Sequence, residues 1–285
     1  MKKLFITAAI AFFSFTVTAQ ALENSLLWKI SGNGLSKPSY LYGTIHITCD
    51  ATLDKNILSA LDATKQLYLE LDTDDPNMQA EMMGMVMMKD GKKISTLLSK
   101  EDYALVSDFV KTNSGMPLSM MDTMKPFIVS AMVYPAMLGC PMQSFEGELA
   151  KVSAEQKEEV YGLETVSEQM DVFDVIPYED QMKELVKMAK EGIDKSKGQF
   201  KLMMDAYARK DLNALMAMMN DAENPMYSDH NDVLLTNRNK NWIPKIEKAA
   251  REKPTFFGVG AAHLAGDDGV IKLLRKKGYK VEAVK

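Results

Sequence analysis

The chain has 285 residues, a formal net charge of -5 and two cysteines. This length suits one large domain or two small ones. The acidic balance argues against nucleic acid and anionic lipid as partners, because both attract basic surfaces. Beyond the N-terminus, no stretch is apolar enough to predict stable insertion in a membrane.

The N-terminus has the pattern of a secretory signal peptide. Lysines at positions 2 and 3 give a positive start, and the apolar stretch 4–17 is too short to span a membrane comfortably. Ala19-Gln20-Ala21 supplies the small residues that a signal peptidase recognises. We therefore predict that residues 1–21 are a signal peptide cleaved after Ala21, and that the mature protein is periplasmic or secreted.

The first part of the mature chain is predicted to form strands and one helix. Leu26–Ile30 and Tyr40–Ile47 are β-prone and flank Gly32-Asn33-Gly34, a hairpin signal. Apolar residues at helical spacing follow over residues 53–61. Gln66–Leu71 then predicts the next strand.

Helices dominate the middle of the chain and form a predicted insertion at about residues 76–230. A short strand, Glu158–Leu163, lies within it. A further helix is predicted over Asp232–Lys248, interrupted by Pro244. The clearest helical segments are Asp102–Val110, Phe127–Leu138, Phe145–Ser153, Tyr178–Glu191, Lys195–Ala208 and Leu212–Met219.

The C-terminal segment repeats the order of the first part. Thr255–Val259 is a predicted strand, a helix starts near Asp267 and stops at Gly278, and Tyr279–Val284 is the last strand. We predict a single α/β domain over residues 22–285. Two related β-loop-α-β halves would form its mixed central sheet, with the large helical insertion between them.

Two of the three histidines occupy the same four-residue frame, Gly-x-x-His, at opposite ends of the protein. The frames are Gly43-Thr44-Ile45-His46 and Gly260-Ala261-Ala262-His263. The first frame follows the β-prone run Ser39–Tyr42, and the second follows Thr255–Val259. Each precedes a predicted helix, and imidazole suits both metal binding and proton transfer. A single such histidine is often structural, but the repeated frame favours function. His230 is interpreted as a surface residue at a helix start.

The predicted topology brings four polar residues to one edge of the sheet. Carboxyl ends of parallel strands share an edge. His46, His263 and Glu164 come just after predicted strands, and Glu70 lies near the end of one. Two imidazoles and a carboxylate can bind Zn, Mn, Co or Fe, and Glu70 or Glu164 could then accept a proton from a metal-activated water. The structural alternatives are a strand-end charge for Glu70 and a first-turn helix acid for Glu164.

The two cysteines are predicted to form a disulfide between Cys49 and Cys140. A lone pair of cysteines in an exported protein usually forms one bridge. This bridge would join the first Gly-x-x-His region to the helical insertion. The alternative is that Cys49, three residues after His46, binds a metal ion.

The 23 methionines are concentrated in residues 78–88 and 116–142. Their helical spacing favours an adaptable apolar helix face, since methionine fills irregular cores well. Thioether ligands for Cu(I) and a flexible groove that accepts peptide are the alternatives.

Several runs resemble the TraB/GumN family, which is similar to the TIKI metalloproteases. They cover nearly the whole mature chain, and the ordered set is more specific than any one motif. The resemblance implies an α/β fold with paired halves and a metal-dependent hydrolytic site acting on protein. The matching runs are Leu27–Ile30, Pro38–His46, Leu69–Asp72, Gly162–Thr165 with Gln169, Arg238-Asn239 before Trp242, and Val259–Gly266 with Asp268–Val270.

The resemblance also implies roles for individual residues. His46 and His263 become metal-site residues, and Glu70 becomes a ligand or base. Arg238 and Asn239 become polar residues near the site, where Arg238 would stabilise an oxyanion or form a helix salt bridge. The chain departs from the expected Gly-x-Asp or Gly-x-Glu pattern at Gly147-Glu148-Leu149, so no role is assigned there.

The predicted function is a periplasmic metal-dependent hydrolase, a peptidase that uses a metal-activated water. The expected cofactor is a divalent Mn, Co or Zn ion, and the expected partner is a peptide or protein substrate. A non-catalytic haem- or metal-binding protein and an esterase are the alternatives. The predicted catalytic residues are Glu70, Glu164 and Arg238, the metal ligands are His46, His263 and Glu70, and the substrate-binding residues are Gly43, Gly260 and Asn239.

Overall fold

The computed structural model describes residues 22–285, so the predicted signal peptide lies outside the described residues. A six-stranded sheet forms the centre of the fold. Its strands are β1 (Leu27–Ser31), β2 (Ser39–Thr44), β3 (Leu67–Leu69), β4 (Val160–Gly162), β5 (Phe256–Gly260) and β6 (Lys280–Ala283).

The strand order is β4-β3-β5-β2-β1-β6. Neighbours from β4 to β2 are parallel, whereas β1 is antiparallel to both β2 and β6. This arrangement confirms the predicted α/β class with a mixed sheet. It also places the carboxyl ends of β2, β3, β4 and β5 along one edge, where ligands bind in open α/β sheets.

Helices surround this sheet. Within residues 22–285, no helix is long and apolar enough to cross a membrane. Short 3₁₀ segments cover Lys89–Gly91, Leu118–Met121 and Ala261–His263, and a π-helical turn covers Asp232–Thr236. The α-helices are α1 (Lys55–Asp62), α2 (Met78–Met85), α3 (Ile94–Leu97), α4 (Lys100–Ser114), α5 (Pro126–Ala131), α6 (Pro135–Leu138), α7 (Phe145–Gln156), α8 (Val166–Val175), α9 (Tyr178–Glu191), α10 (Ile193–Ala208), α11 (Leu212–Met219), α12 (Pro225–Ser228), α13 (Asn237–Glu252) and α14 (Val270–Lys276).

The two predicted β-loop-α-β units are β2–α1–β3 and β5–α14–β6. They interleave in the sheet rather than lying side by side. Strand β5 lies between β2 and β3, while β2 and β1 lie between β5 and β6. The interleaving makes β2 and β5 direct neighbours, with Thr44 opposite Gly260, so the two Gly-x-x-His motifs begin next to each other.

Two prolines have different effects on their helices. The predicted helix Phe127–Leu138 is split into α5 and α6, because Pro135 starts a new helix as its first residue. Pro244, by contrast, does not interrupt α13. Pro244 and Lys240, whose carbonyl loses its helical partner, are both exposed, so water can satisfy that carbonyl.

Helices that lie between β3 and β4 and after β4 share an apolar cluster separate from the one around the sheet. Met88, Met121, Met182 and Met188 are buried in it. Of the two methionine-rich stretches, Met88 and Met121 therefore fill this core, whereas α2, which carries Met78, Met82 and Met85, has no buried residue. Other methionines, including Met120, remain exposed.

The predicted disulfide is present. Cys49 and Cys140 are bonded, and no cysteine of the described chain is free. The bridge excludes Cys49 as a thiolate metal ligand. It joins the loop after β2 to the segment between α6 and α7.

One buried ion pair connects the start of α5 with α8 and α9. The Lys125 side chain is 1% exposed and its Nζ lies 3.0 Å from Asp174 Oδ2 in α8. The Tyr178 hydroxyl of α9 donates to Asp174 Oδ1 at 2.7 Å. Lys125 itself precedes α5. Because the lysine charge is buried, its partner should contribute strongly to stability.

We predict that Asp174→Ala lowers the free energy of unfolding by about 3–5 kcal/mol, because it leaves the buried Lys125 charge without its carboxylate. The matched control is Asp171→Ala on the same helix, where the aspartate is 53% exposed. Urea unfolding followed by circular dichroism measures both. Equal midpoints for the two variants would contradict this role of Asp174.

Candidate active site

The ends of four parallel strands bring the predicted site residues together. His46 follows β2, Glu70 follows β3, Glu164 follows β4, and His263 ends the 3₁₀ turn after β5. The Glu164 N–H donates to the Glu70 carbonyl at 3.0 Å, so the β3–β4 ladder continues past the strands. Backbone pairing therefore holds the two glutamates side by side.

Arg238 lies between these two carboxylates. Its Nη2 donates to Glu70 Oε2 at 2.6 Å and to Glu164 Oε1 at 2.5 Å, and its Nε donates to Glu164 Oε2 at 3.1 Å. The side chains of Arg238, Glu70 and Glu164 are only 14%, 7% and 4% exposed. One buried cation is thus shared by two buried carboxyl side chains.

Two further side chains complete this network. Gln169 Nε2 donates to Glu70 Oε2 at 3.2 Å and to Glu164 Oε1 at 3.0 Å. Trp242 Nε1 donates to Glu164 Oε2 at 3.2 Å, and the Arg238 guanidinium lies 4.9 Å from the centre of the Trp242 ring. The oxygens of Glu164 are therefore occupied by protein donors, which fits a residue that positions Arg238.

The surroundings keep Glu70 ionised. Burial opposes its charge, but Arg238, the two histidines and the Gly260 N–H outweigh burial and hold the pKa of Glu70 well below its usual range. The Gly260 N–H donates to Glu70 Oε1 at 2.8 Å. The same pairing outweighs burial at Arg238 and raises its pKa, so the guanidinium stays charged.

His263 is buried and held in one tautomer. Asn239 Nδ2 donates to the backbone carbonyls of His263 and Asp268, so Asn239 Oδ1 faces the ring and accepts from His263 Nδ1 at 2.7 Å. Burial lowers the pKa of His263 to about 3, so the ring is neutral at pH 7. Its Nε2 lone pair therefore faces the site and accepts from Arg238 Nη1 at 3.0 Å.

His46 differs in both exposure and partner. Its side chain is 65% exposed, and Nδ1 donates to Glu146 Oε1 at 2.8 Å. Partial loss of water opposes the charged ring, but the hydrogen bond to Glu146 and the charge of Glu70 outweigh that loss and raise the pKa of His46. Water screens part of this attraction because the ring is so exposed.

Sequence reasoning missed Glu146. This residue is in the first turn of α7, after the N-cap Ser144, where an acidic residue has an ordinary structural explanation. Glu148, to which no role was assigned, is 44% exposed and lies 3.8 Å from Lys151. Glu146 comes shortly after the disulfide-bonded Cys140 in the sequence, but no local pattern linked it to His46.

The three predicted substrate-binding residues have distinct places. Gly43 is packed so tightly against the second motif that a Cβ there would lie 3.1 Å from Ala261 Cα. Asn239 is 2% exposed and holds His263 as described. Gly260 borders the space between the two histidines and Glu70, so of the three it is the one placed at the centre of the site.

Comparison with known proteins identifies the family. The sequence matches the TraB/PrgY/gumN family over residues 26–283. The chain belongs to this family. No solved structure matches the chain at a significant level.

The individual proteins that the chain resembles are only distantly similar to it in sequence. The chain is 22% identical to "Metalloprotease TIKI1" of Danio rerio over 94% of its own length and 64% of that protein. It is also 22% identical to "Metalloprotease TIKI2" of Danio rerio and of Xenopus tropicalis, over 91% of its length and 61% and 60% of theirs. The chain thus spans about three fifths of the length of these relatives.

We predict that Arg238→Met lowers the free energy of unfolding by about 3–5 kcal/mol, because it leaves two buried carboxylates without their cation. Lys240→Met is the control, since Lys240 is on the same helix and 52% exposed. Adding Glu164→Gln to Arg238→Met should recover part of the loss by removing one buried charge. A double variant no more stable than Arg238→Met, or equal stability of the two single variants, would contradict this electrostatic account.

Proposed function

We propose that this protein is a periplasmic, metal-dependent hydrolase that cleaves peptide bonds. The observation that carries the proposal is the meeting of His46, Glu70 and His263 around Gly260. Membership of the TraB/PrgY/gumN family and the similarity to proteins named metalloproteases support the same reaction class. The signal-peptide pattern of residues 1–21 supports the compartment.

The donor set fits a divalent ion. A Cβ placed on Gly260 would lie 3.2 Å from Glu70 Oε1, 3.5 Å from His46 Nε2 and 3.6 Å from His263 Cδ2, so the glycine leaves a small space that all three side chains border. Two imidazole nitrogens and one carboxylate oxygen suit Zn, Mn and Co. We propose these three residues as ligands of an ion whose identity is one of those metals.

One rearrangement is required for binding. Within residues 22–285, no group of three or more His, Cys, Asp and Glu side chains is already arranged to hold a metal ion. Arg238 is one obstacle to binding, because its Nη1 donates to His263 Nε2 at 3.0 Å. The guanidinium must turn away from the ring while keeping its bonds to Glu70 and Glu164.

The bound ion and the surrounding side chains would have different chemical roles. A bound divalent ion would polarise the substrate carbonyl and lower the pKa of a coordinated water. The depressed pKa of Glu70 makes it a better ligand than base, since a base works best with a pKa near the operating pH. Glu70 and Glu164 hold Arg238, and Gln169 donates to both glutamates. The positive charge of Arg238 can stabilise an oxyanion.

The proposal predicts that the mature protein, residues 22–285, retains close to one equivalent of Mn, Co or Zn after loading and dialysis. His46→Ala and His263→Ala should each lose most of that metal, because each removes one of three proposed ligands. Plasma mass spectrometry measures the metal content. Circular dichroism verifies that both variants remain folded.

The third histidine provides the control. His230 Nε2 lies 3.6 Å from Asp180 Oδ2, outside the site, so His230→Ala should retain the metal of the wild type. Metal-loaded wild type should degrade an unstructured protein substrate, and a chelator should stop it. Retention without turnover would favour the non-catalytic metal-binding alternative, and no retention at any of the three metals would overturn the metal site.

A further inference from the structure

Two loops that are far apart in the sequence meet beside His46. The Thr48 N–H donates to the Gln143 carbonyl at 3.0 Å, and the Gln143 N–H donates to the Thr48 carbonyl at 2.8 Å. The next residue after Thr48 is Cys49, which is bonded to Cys140 of the second loop. The same two loops are therefore joined by a covalent bond and a pair of backbone hydrogen bonds.

A side chain adds a third connection. Gln143 Oε1 accepts from the Ala51 N–H at 3.0 Å, just beyond the disulfide. We call the Cys49–Cys140 bond, the Thr48–Gln143 backbone pair and this side-chain bond the loop clamp. The clamp lies within a few residues of His46 on one loop and of Glu146 at the end of the other.

Glu146 is itself held firmly. Its Oε2 accepts from the Ser144 hydroxyl at 2.9 Å, and its Oε1 accepts from the Thr44 hydroxyl at 2.6 Å as well as from His46 Nδ1. The Glu146 side chain is 15% exposed. A fixed carboxylate of this kind can orient a histidine and select its tautomer.

His46 needs such an orienting group. Its ring is 65% exposed, and within the described chain the side chain that it hydrogen-bonds is that of Glu146. Without this bond the exposed ring would sample several rotamers and both neutral tautomers. With the bond, Nδ1 carries the proton and Nε2 faces Gly260.

We infer that Glu146 is a positioning residue for His46, and that the loop clamp keeps Glu146 within reach of the ring. The importance of His46 belongs to the proposed function, on which this inference rests. The clamp joins the loop after β2 to the segment before α7. His46 and Glu146, which lie after β2 and in the first turn of α7, are about a hundred residues apart in the sequence. Opening the clamp should loosen the contact between His46 and Glu146 without removing either residue.

The test observes the His46 ring directly by NMR. The mature protein is labelled with ¹⁵N-histidine, and long-range ¹H–¹⁵N correlations are recorded without metal, at a pH where the rings are neutral. Three histidines give three resolvable rings, and substitution of each assigns them. In the wild type, His46 should show a protonated Nδ1 and an unprotonated Nε2.

Glu146→Ala should remove this preference and produce the signals of a mixture with the Nε2–H tautomer. Glu146→Gln should restore the Nδ1–H form, since an amide oxygen still accepts the hydrogen bond. The Cys49→Ser/Cys140→Ser double variant should shift His46 part of the way to the mixture. Glu148→Ala, on the exposed side of the same helix, should leave His46 unchanged.

The buried His263 serves as an internal report on folding, because its Nδ1 bond to Asn239 does not involve the clamp. A preserved His46 tautomer in Glu146→Ala would overturn the positioning role. A double cysteine variant with wild-type His46 signals would overturn the role of the clamp. Absence of metal retention together with the predicted His46 signals would instead contradict the proposed function alone.

Discussion

The site depends on the placement of one buried cation between two buried carboxylates. Arg238 contacts Glu70 and Glu164, and its remaining nitrogen faces His263. Without the guanidinium, the two glutamates would repel each other in a region that excludes water. The residues come from β3, β4, α13 and the loop after β5, so the same contact also ties the helical part of the chain to the sheet edge.

The two Gly-x-x-His motifs look equivalent in the sequence but have different physical environments. His263 is buried, neutral and fixed by Asn239, whereas His46 is exposed and fixed by Glu146. A buried, oriented histidine paired with an exposed one would give a site that is closed on one side and open on the other. Substrate and solvent would enter from the side of His46.

Much of this arrangement follows from the sequence. The strand-end positions of His46, Glu70, Glu164 and His263 required only the β-α-β order, because parallel strands share an edge. The role of Glu146 did not follow, since a first-turn helix acid has an ordinary local explanation and its contact spans a hundred residues. The interleaving of the two halves in the sheet could not be predicted either, because local sequence patterns indicate strand direction more clearly than strand order.

The central claim is that both motifs border a single metal ion. The most direct measurement is anomalous diffraction from crystals of the mature protein loaded with Mn or Co, recorded on both sides of the metal edge. The account predicts one strong peak next to Gly260, within about 2.0–2.2 Å of His46 Nε2, His263 Nε2 and a Glu70 oxygen, with Arg238 turned from the His263 ring. A loaded crystal with no peak there, or with its metal bound elsewhere, would contradict it.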